Sequence, residues 1–165
     1  MNWSWGEQSY HSDVLEGHSS AQIGRALFRT SSLDQEEKLA AEITRRSGSG
    51  ELHIRTFGSD VPAKIVTDLS AEVRKDLGLA HQTIDLHQHL TKDKDFAGYE
   101  HFQDRFAGCG GLRLYRLVNG RPVYAAKVVF WDADNRTYVE VLDDGVSLLI
   151  VEAMIALGND GFVSQ

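Results

Sequence analysis

The chain has 165 residues, of which 24 are acidic and 17 basic, so its formal net charge is −7 at pH 7. This length is typical of one domain and is sufficient for a buried core without disulfide bonds. The lysines and arginines are scattered and do not form the basic cluster that a phosphate backbone requires, so we expect no nucleic-acid binding. An acidic surface favours basic partners at low salt.

The single cysteine and the longest apolar stretch bear on where the protein resides. Cys109 has no second cysteine with which to form an intramolecular disulfide, and this favours a reducing compartment. The N-terminus lacks the basic and apolar segments of a secretion signal. The apolar stretch 148–157 contains Glu152 and is about half as long as a bilayer-crossing helix. We therefore expect a cytoplasmic protein without a membrane partner.

Residues 1–18 are predicted to form a polar, irregular N-terminal arm. This segment carries Trp3, Trp5 and Tyr10, a large aromatic content for a free tail. We expect these rings to cover an apolar groove on the body of the protein or, as the alternative, to dock on a second subunit.

Two helices are predicted after the arm. The apolar residues of 19–29 recur at helical spacing. The segment 33–46 has a narrow apolar stripe beside acidic residues, and Ser32 with Gln35 matches a capping box. The glycine-rich segment 47–50 is expected to end this second helix.

The middle of the chain is predicted to contain a strand and three further elements. Residues 51–57 alternate as a strand does. A helix with good 3.6-residue periodicity follows, with Ser59 or Asp60 as its cap and Gly78 as its end. Residues 83–90 alternate and are read as a strand, with a helix as the alternative.

A fourth helix is predicted over 95–106, because four aromatic residues recur there at helical spacing. Such a stripe is usually part of a core. The residues of this aromatic face are Phe96, Tyr99, Phe102 and Phe106.

The last third predicts an antiparallel β-meander with strands at 112–118, 122–131 and 136–142. Asn119-Gly120 joins the first two strands and is the strongest short signal for a type I′ hairpin. The middle strand is apolar on both faces and should be covered on both sides. Residues 146–157 predict an apolar helix, with a fourth strand as the alternative.

These elements together predict an α+β fold in one domain spanning residues 1–165. Its sheet is an antiparallel meander of three or more strands, packed against several helices and closed by the C-terminal helix. We find no internal repeat in the sequence.

A metal site is one hypothesis for the histidine-rich segment. On a strand, Asp85, His87 and His89 would share one face, and two imidazoles could converge on zinc or another divalent metal. On a helix, His81, Asp85 and His89 would form a row instead. A plain solvent-exposed face is the simpler interpretation. Further ligands could come from Asp93, Asp95, Glu100 or His101.

Glu152 and Cys109 are the candidates for catalytic residues. Glu152 is a lone charge in an apolar helix, so it must be paired, hydrogen-bonded or protonated if it is buried. Arg113 and Arg116 are its expected partners, and a role as general acid or base at the base of a pocket is the alternative. Cys109 lies in a glycine-rich turn, and a nucleophilic role would require a base and a lowered pKa.

Four aspartates at predicted turns flank the third strand of the meander. Paired acids can hold a hard cation, but aspartate is also an ordinary turn and cap residue, which is the interpretation we favour. They are Asp132, Asp134, Asp143 and Asp144, the last two also being candidate caps of the final helix.

The sequence contains no complete catalytic constellation. We therefore expect a small acidic binding or accessory protein, of the inhibitor or immunity type, that recognises another protein, and the negative charge favours a basic one. The predicted contact surfaces are the acidic segment 33–46 and the outer face of the strand 136–142, to which alternation assigns Tyr138 and Glu140, with Trp3 and Trp5 as anchors. A metal-dependent enzyme or metal-binding protein and a small-molecule pocket with Glu152 are the alternatives, and a homodimer is compatible with each.

Overall fold

The computed structural model describes residues 2–58, 60–142 and 145–163, with side chains through residue 158. This part of the chain forms antiparallel β-sheets and three helices, which confirms the α+β class, although the fold is mostly sheet. The strands are β1 (Asn2–Trp5), β2 (Gln8–Glu16), β3 (Gln22–Ser31), β4 (Glu37–Arg45), β5 (Leu52–Thr56), β6 (Val61–Pro62), β7 (Phe96–Asp104), β8 (Cys109–Val118), β9 (Arg121–Trp131), β10 (Arg136–Val141) and β11 (Val146–Ser147). The helices are α1 (Ala63–Leu77), α2 (Leu86–Lys92) and α3 (Leu148–Val163).

The strands form two sheets that exchange one short strand each. The first sheet has the order β1-β2-β3-β4-β5-β11, and the second has the order β6-β10-β9-β8-β7. After β1, the chain forms β2 to β5 of the first sheet, then β6 of the second sheet, and then α1. It repeats this course from β7 to β10, adds β11 to the first sheet, and enters α3.

The two halves of the chain are an internal repeat that the sequence alone did not reveal. In the exchanged strands, Val61 pairs with Val139 and Val146 pairs with Ile54, so corresponding residues are 85 positions apart. The two central ladders also share a register shift, between Leu27 and Phe28 in one half and between Leu114 and Tyr115 in the other.

Side-chain contacts repeat along with the backbone. Arg29 lies 5.8 Å from the ring centre of the buried Tyr10, and Arg116 lies 4.9 Å from that of the buried Phe96. Arg29 donates to the carbonyl oxygen of Asp60, and Arg116 donates to the carbonyl oxygen of Gly145. Each arginine thus ties its own sheet to the loop that enters the exchanged strand.

The helices cover the two sheets and meet each other. α1 packs mainly on β3, where Asp76 accepts a 2.6 Å hydrogen bond from Arg25, and α3 packs mainly on β9. One cluster of buried apolar residues runs through both sheets and both helices. None of the described helices has both the length and the apolar character that a membrane span requires.

The predictions for the C-terminal half are largely confirmed. The three strands of the meander are present as β8, β9 and β10, and β9 is the central strand of the second sheet. Asn119 and Gly120 have φ angles of 52° and 77°, as a type I′ turn requires. Residues 146–157 contain both predicted alternatives, since β11 occupies the first two positions and α3 begins at Leu148. The predicted caps Asp143 and Asp144 lie outside the described residues.

The predictions for the N-terminal half are partly wrong. The strand at 51–57 and the end of α1 at Gly78 are confirmed. The helices predicted over 19–29 and 33–46 are β3 and β4. Both of these strands bury residues on two faces, so their apolar positions do not alternate and resemble a helical pattern.

The N-terminal arm is also not irregular. Its residues form the β1–β2 hairpin, which adds two strands to the edge of the first sheet. Trp3 and Trp5 pack against the core, in agreement with the prediction that they cover the body of the protein.

Two elements after α1 differ from the preferred prediction, although α2 matches the helical alternative for 83–90 from Leu86 onward. The segment 83–90, read as a strand, is irregular until α2, and Asp85 caps that helix by accepting from the N–H of Gln88. The segment 95–106, read as a helix, is β7 and a turn, and Phe106 in that turn is fully exposed. Asp60 does not cap α1, whose N-cap is Pro62, and Ser59 lies outside the described residues.

Candidate functional site

The outer face of β10 forms one side of a cavity of about 610 Å³ that is open to solvent. The loop before β6 and the turn between β9 and β10 form its other sides. We call this cavity the acidic cleft; it is lined by Gly58, Asp60, Trp131, Ala133, Asp134, Tyr138 and Glu140. Three of these side chains are carboxylic acids, and none of the described lining residues is a lysine or arginine.

A hydrogen-bonded chain fixes the aromatic side of the acidic cleft. The Tyr138 hydroxyl accepts a 3.2 Å hydrogen bond from Nε1 of Trp5 and donates a 2.7 Å hydrogen bond to Asp134. The Trp5 and Tyr138 rings meet edge to face, and the Arg136 guanidinium lies 4.4 Å from the Trp5 ring centre. The N-terminal hairpin therefore holds Tyr138 in place from the other sheet.

Two carboxyl groups meet at the opposite side of the cleft. Burial and a hydrogen bond to Asp60 raise the pKa of Glu140 to about 7, while Lys127, opposite Glu140 on β9, acts against this rise. A bound cation would lower this pKa, because a nearby positive charge favours the ionised carboxylate.

The internal repeat shows that the fold does not require these side chains. Trp131, Tyr138 and Glu140 correspond to Arg46, His53 and Arg55, each 85 positions earlier. The same places in the first half are therefore basic, and in the second half they are acidic or aromatic. The character of the acidic cleft is a property of its residues and not a consequence of the architecture.

This arrangement suits the binding of an organic cation. Carboxylates form their strongest hydrogen bonds with ammonium and guanidinium groups, and aromatic faces attract the same groups.

The histidine-rich segment does not assemble the predicted metal ligands. In α2, His87 and His89 are two positions apart on a helix and so point in different directions. The Asp85 side chain caps the helix, and His81 lies beside Arg74, 3.4 Å from its Nη1. Among the residues that the structure describes, no three histidine, cysteine or acidic side chains are grouped as metal ligands.

Glu152 is paired, as its position in an apolar helix requires, but with a different arginine from those expected. Arg74 of α1 donates hydrogen bonds to both carboxylate oxygens of Glu152, and the one to Oε2 has a length of 2.8 Å. Arg113 and Arg116 instead stack on aromatic rings of the second sheet. Glu152 therefore joins the two long helices and is not a free acid or base at the bottom of a pocket.

Cys109 lies at the start of β8 beside a cavity of about 610 Å³ that His101 also lines. Burial raises the pKa of its thiol, with Asp104 acting in the same direction, whereas a nucleophilic cysteine requires a lowered pKa. The environment of Cys109 thus does not favour a nucleophilic role.

The sequence located the side of the acidic cleft that β10 forms. The outward positions Tyr138 and Glu140 follow from the alternation of the third meander strand, whose outer face was a predicted contact surface. Asp60, Trp131 and the support from Trp5 could not be found in this way, because they come from other elements that only the exchanged strands bring near β10.

No protein-family model matches the chain, and no match was found among the curated proteins or the solved structures.

Proposed function

We propose that the protein is a binding module that recognises a basic segment of another protein. The observation that carries the proposal is the acidic cleft, in which three carboxylic acids and two aromatic residues line a cavity of about 610 Å³. In this proposal a lysine or arginine side chain of the partner enters the cleft between Tyr138 and the Asp60–Glu140 pair.

Three further properties support this function. The net charge of −7 attracts a basic partner over a distance and speeds its association. The rim of the cleft already contains a cation–π contact, since Arg136 stacks on Trp5. The volume lies within the range of about 300–1,000 Å³ that is common for binding pockets.

Trp3 and Trp5 have a supporting role in this proposal and are not anchors. Nε1 of Trp3 donates a 3.0 Å hydrogen bond to Asp68, and Nε1 of Trp5 donates to Tyr138. Both indoles are half-buried against the core, so they shape the site from within the protein.

Binding of a fluorescent hexa-arginine peptide, followed by anisotropy, tests the proposal. The double variant Asp60→Asn, Glu140→Gln removes the paired acids and should weaken binding about tenfold, or about 1.4 kcal/mol. Raising the salt concentration should weaken binding to the native protein, because the attraction between charges is screened.

The matched control is Glu7→Gln, Glu16→Gln, which removes the same number of acids from exposed positions in the β1–β2 turn and at the end of β2. It should change the affinity less than twofold. Equal losses in both double variants would show that net charge alone attracts the peptide and would contradict a role for the cleft.

A further inference from the structure

The edge of the second sheet at β7 has an unpaired side. β7 has nine residues and pairs with β8 only. In the described part of the chain, no other strand lies beyond β7 in this sheet. Within β7, Glu100, His101, Gln103 and Asp104 are exposed. Such a long edge without proline or lysine can pair with another strand.

The internal repeat offers a comparison for this edge. The corresponding strand of the first half is β2, and β1 covers it from Gln8 to His11. The remaining free part of β2 is short, because its ladder shifts register between Leu15 and Glu16. β7 pairs with β8 in regular register from Gly98 to Asp104 and so offers a longer free edge.

The direction of the peptide groups follows from the hairpin that joins β7 and β8. Asp104 closes this hairpin, accepting a 2.9 Å hydrogen bond from the N–H of Gly108. Bonding alternates along an antiparallel strand. The peptide groups of Tyr99, His101 and Gln103 therefore point away from β8, toward solvent.

We propose that β7 pairs antiparallel with β7 of a second copy of this chain, about a two-fold axis at His101. This joins two five-stranded sheets into one continuous sheet. In this register His101 faces His101 of the second copy, and Tyr99 faces Gln103 at both ends. All three residues present outward peptide groups, so the backbone bonds are satisfied reciprocally.

Other registers are excluded by charge or by geometry. An axis at Glu100 places two carboxylates face to face, and an axis at Phe102 places Glu100 opposite Asp104. An axis at Tyr99 would require the part of β7 between Phe96 and Gly98 to pair with the second copy, and β7 is irregular there because its ladder with β8 shifts register. An axis between two residues would pair side chains from opposite faces of the sheet, which the pleat forbids.

The register at His101 is also complementary in charge. Glu100 of the second copy faces Phe102, and the Arg113 guanidinium lies 4.0 Å from the centre of the Phe102 ring. Arg113 already lies 3.9 Å from Glu100 of its own chain. The dimer would thus add a second carboxylate beside each Arg113, on both sides of the axis.

Light scattering after size exclusion, from about 1 µM to about 1 mM protein, tests the proposal. The native mass should rise toward twice that of one chain, and more so in high salt, which screens the repulsion between two copies of net charge −7. His101→Pro removes an outward N–H at an edge position and should keep the protein monomeric. Val14→Pro, at the corresponding position of β2, is the matched control and should still dimerise.

A cross-link tests the register without depending on proline tolerance. Facing residues in a bonded antiparallel pair have Cα atoms about 5.5 Å apart, a distance that a disulfide can span. In a Cys109→Ser background, His101→Cys should form a covalent dimer on oxidation, and Glu100→Cys should not. A native protein that is monomeric throughout, a His101→Pro variant that dimerises, or equal cross-linking at both positions would overturn the proposal.

Discussion

At the scale of single residues, the ionisation of Glu140 depends on its place in the fold. Burial and the Asp60 carboxyl hold its pKa at about 7, against an ordinary value of 4.5. The folded protein therefore binds this proton more tightly than the unfolded chain does. Folding stability should fall as pH rises from about 4.5 to about 7 and should not change further, through this group, above pH 7.

The variant Glu140→Gln tests this linkage. Glutamine keeps the size of the side chain but cannot lose a proton, so the fall in stability between pH 5 and pH 7.5 should become smaller than in the native protein. Urea unfolding at several pH values measures the difference. A variant whose stability follows the native pH profile would show that Glu140 ionises as an ordinary exposed acid.

The histidines show the limit of residue-level patterns. His87 and His89 converge if the segment is a strand and diverge if it is a helix, and the sequence alternation favoured the strand. Asp85 decided the outcome, because its side chain caps α2 at the N–H of Gln88. Asp85 is a typical capping residue, but the alternation of the segment predicts it as a metal ligand instead.

At the scale of elements, a buried ion pair fixes the contact between α1 and α3. The side chains of Arg74 and Glu152 are 7% and 16% exposed, so neither charge is well hydrated. The pair is bidentate, which sets the distance and the rotation of the two helices. These helices close the two halves of the repeat, so the ion pair also joins the halves.

Removing one partner should therefore be costly. We expect Arg74→Met or Glu152→Met to lower the free energy of unfolding by about 3–5 kcal/mol, because each leaves the buried charge of the other residue unpaired. The double variant Arg74→Met, Glu152→Met should recover part of the loss. A double-mutant cycle by urea denaturation measures the coupling, and additive losses would contradict a direct interaction.

The sequence pattern predicts a helix instead of a strand where a strand is buried on two faces or carries aromatic residues at helical spacing. β3 and β4 lie inside the first sheet, and residues on both of their faces are buried. β7 has aromatic residues at helical spacing, although Phe106, the last of them, lies beyond the strand. β8, β9 and β10 were predicted because the turn residues between them define the strands independently of their apolar pattern.

At the scale of the whole molecule, the exchanged strands make the two halves depend on each other. Each sheet ends in a strand from the opposite half, and one apolar cluster includes both sheets. We therefore expect the halves to unfold together, in a single transition.

The tryptophans allow this expectation to be measured. Trp3, whose Nε1 donates to Asp68, reports on the first half, and Trp131 reports on the second, whereas Trp5 contacts Tyr138 across the halves. Fluorescence of a variant that keeps only Trp131, and of one that keeps only Trp3, should show the same denaturation midpoint, matching that of circular dichroism. Two separate midpoints would show that the halves are independent units.

The sequence by itself determined the acidic charge, the C-terminal meander with its Asn119-Gly120 turn, the C-terminal end of α1 at Gly78, and the outward positions of Tyr138 and Glu140. These features depend on local chemistry: turn conformation, alternation along a strand, and periodicity along a helix. The tertiary structure decided the repeat, the exchange of β6 and β11, the partner of Glu152, and the approach of Asp60, Trp131 and Trp5 to β10. These depend on contacts between residues far apart in the chain, and what the halves share is a backbone register and a few side-chain contacts, such as those of Arg29 and Arg116, which composition and spacing do not encode.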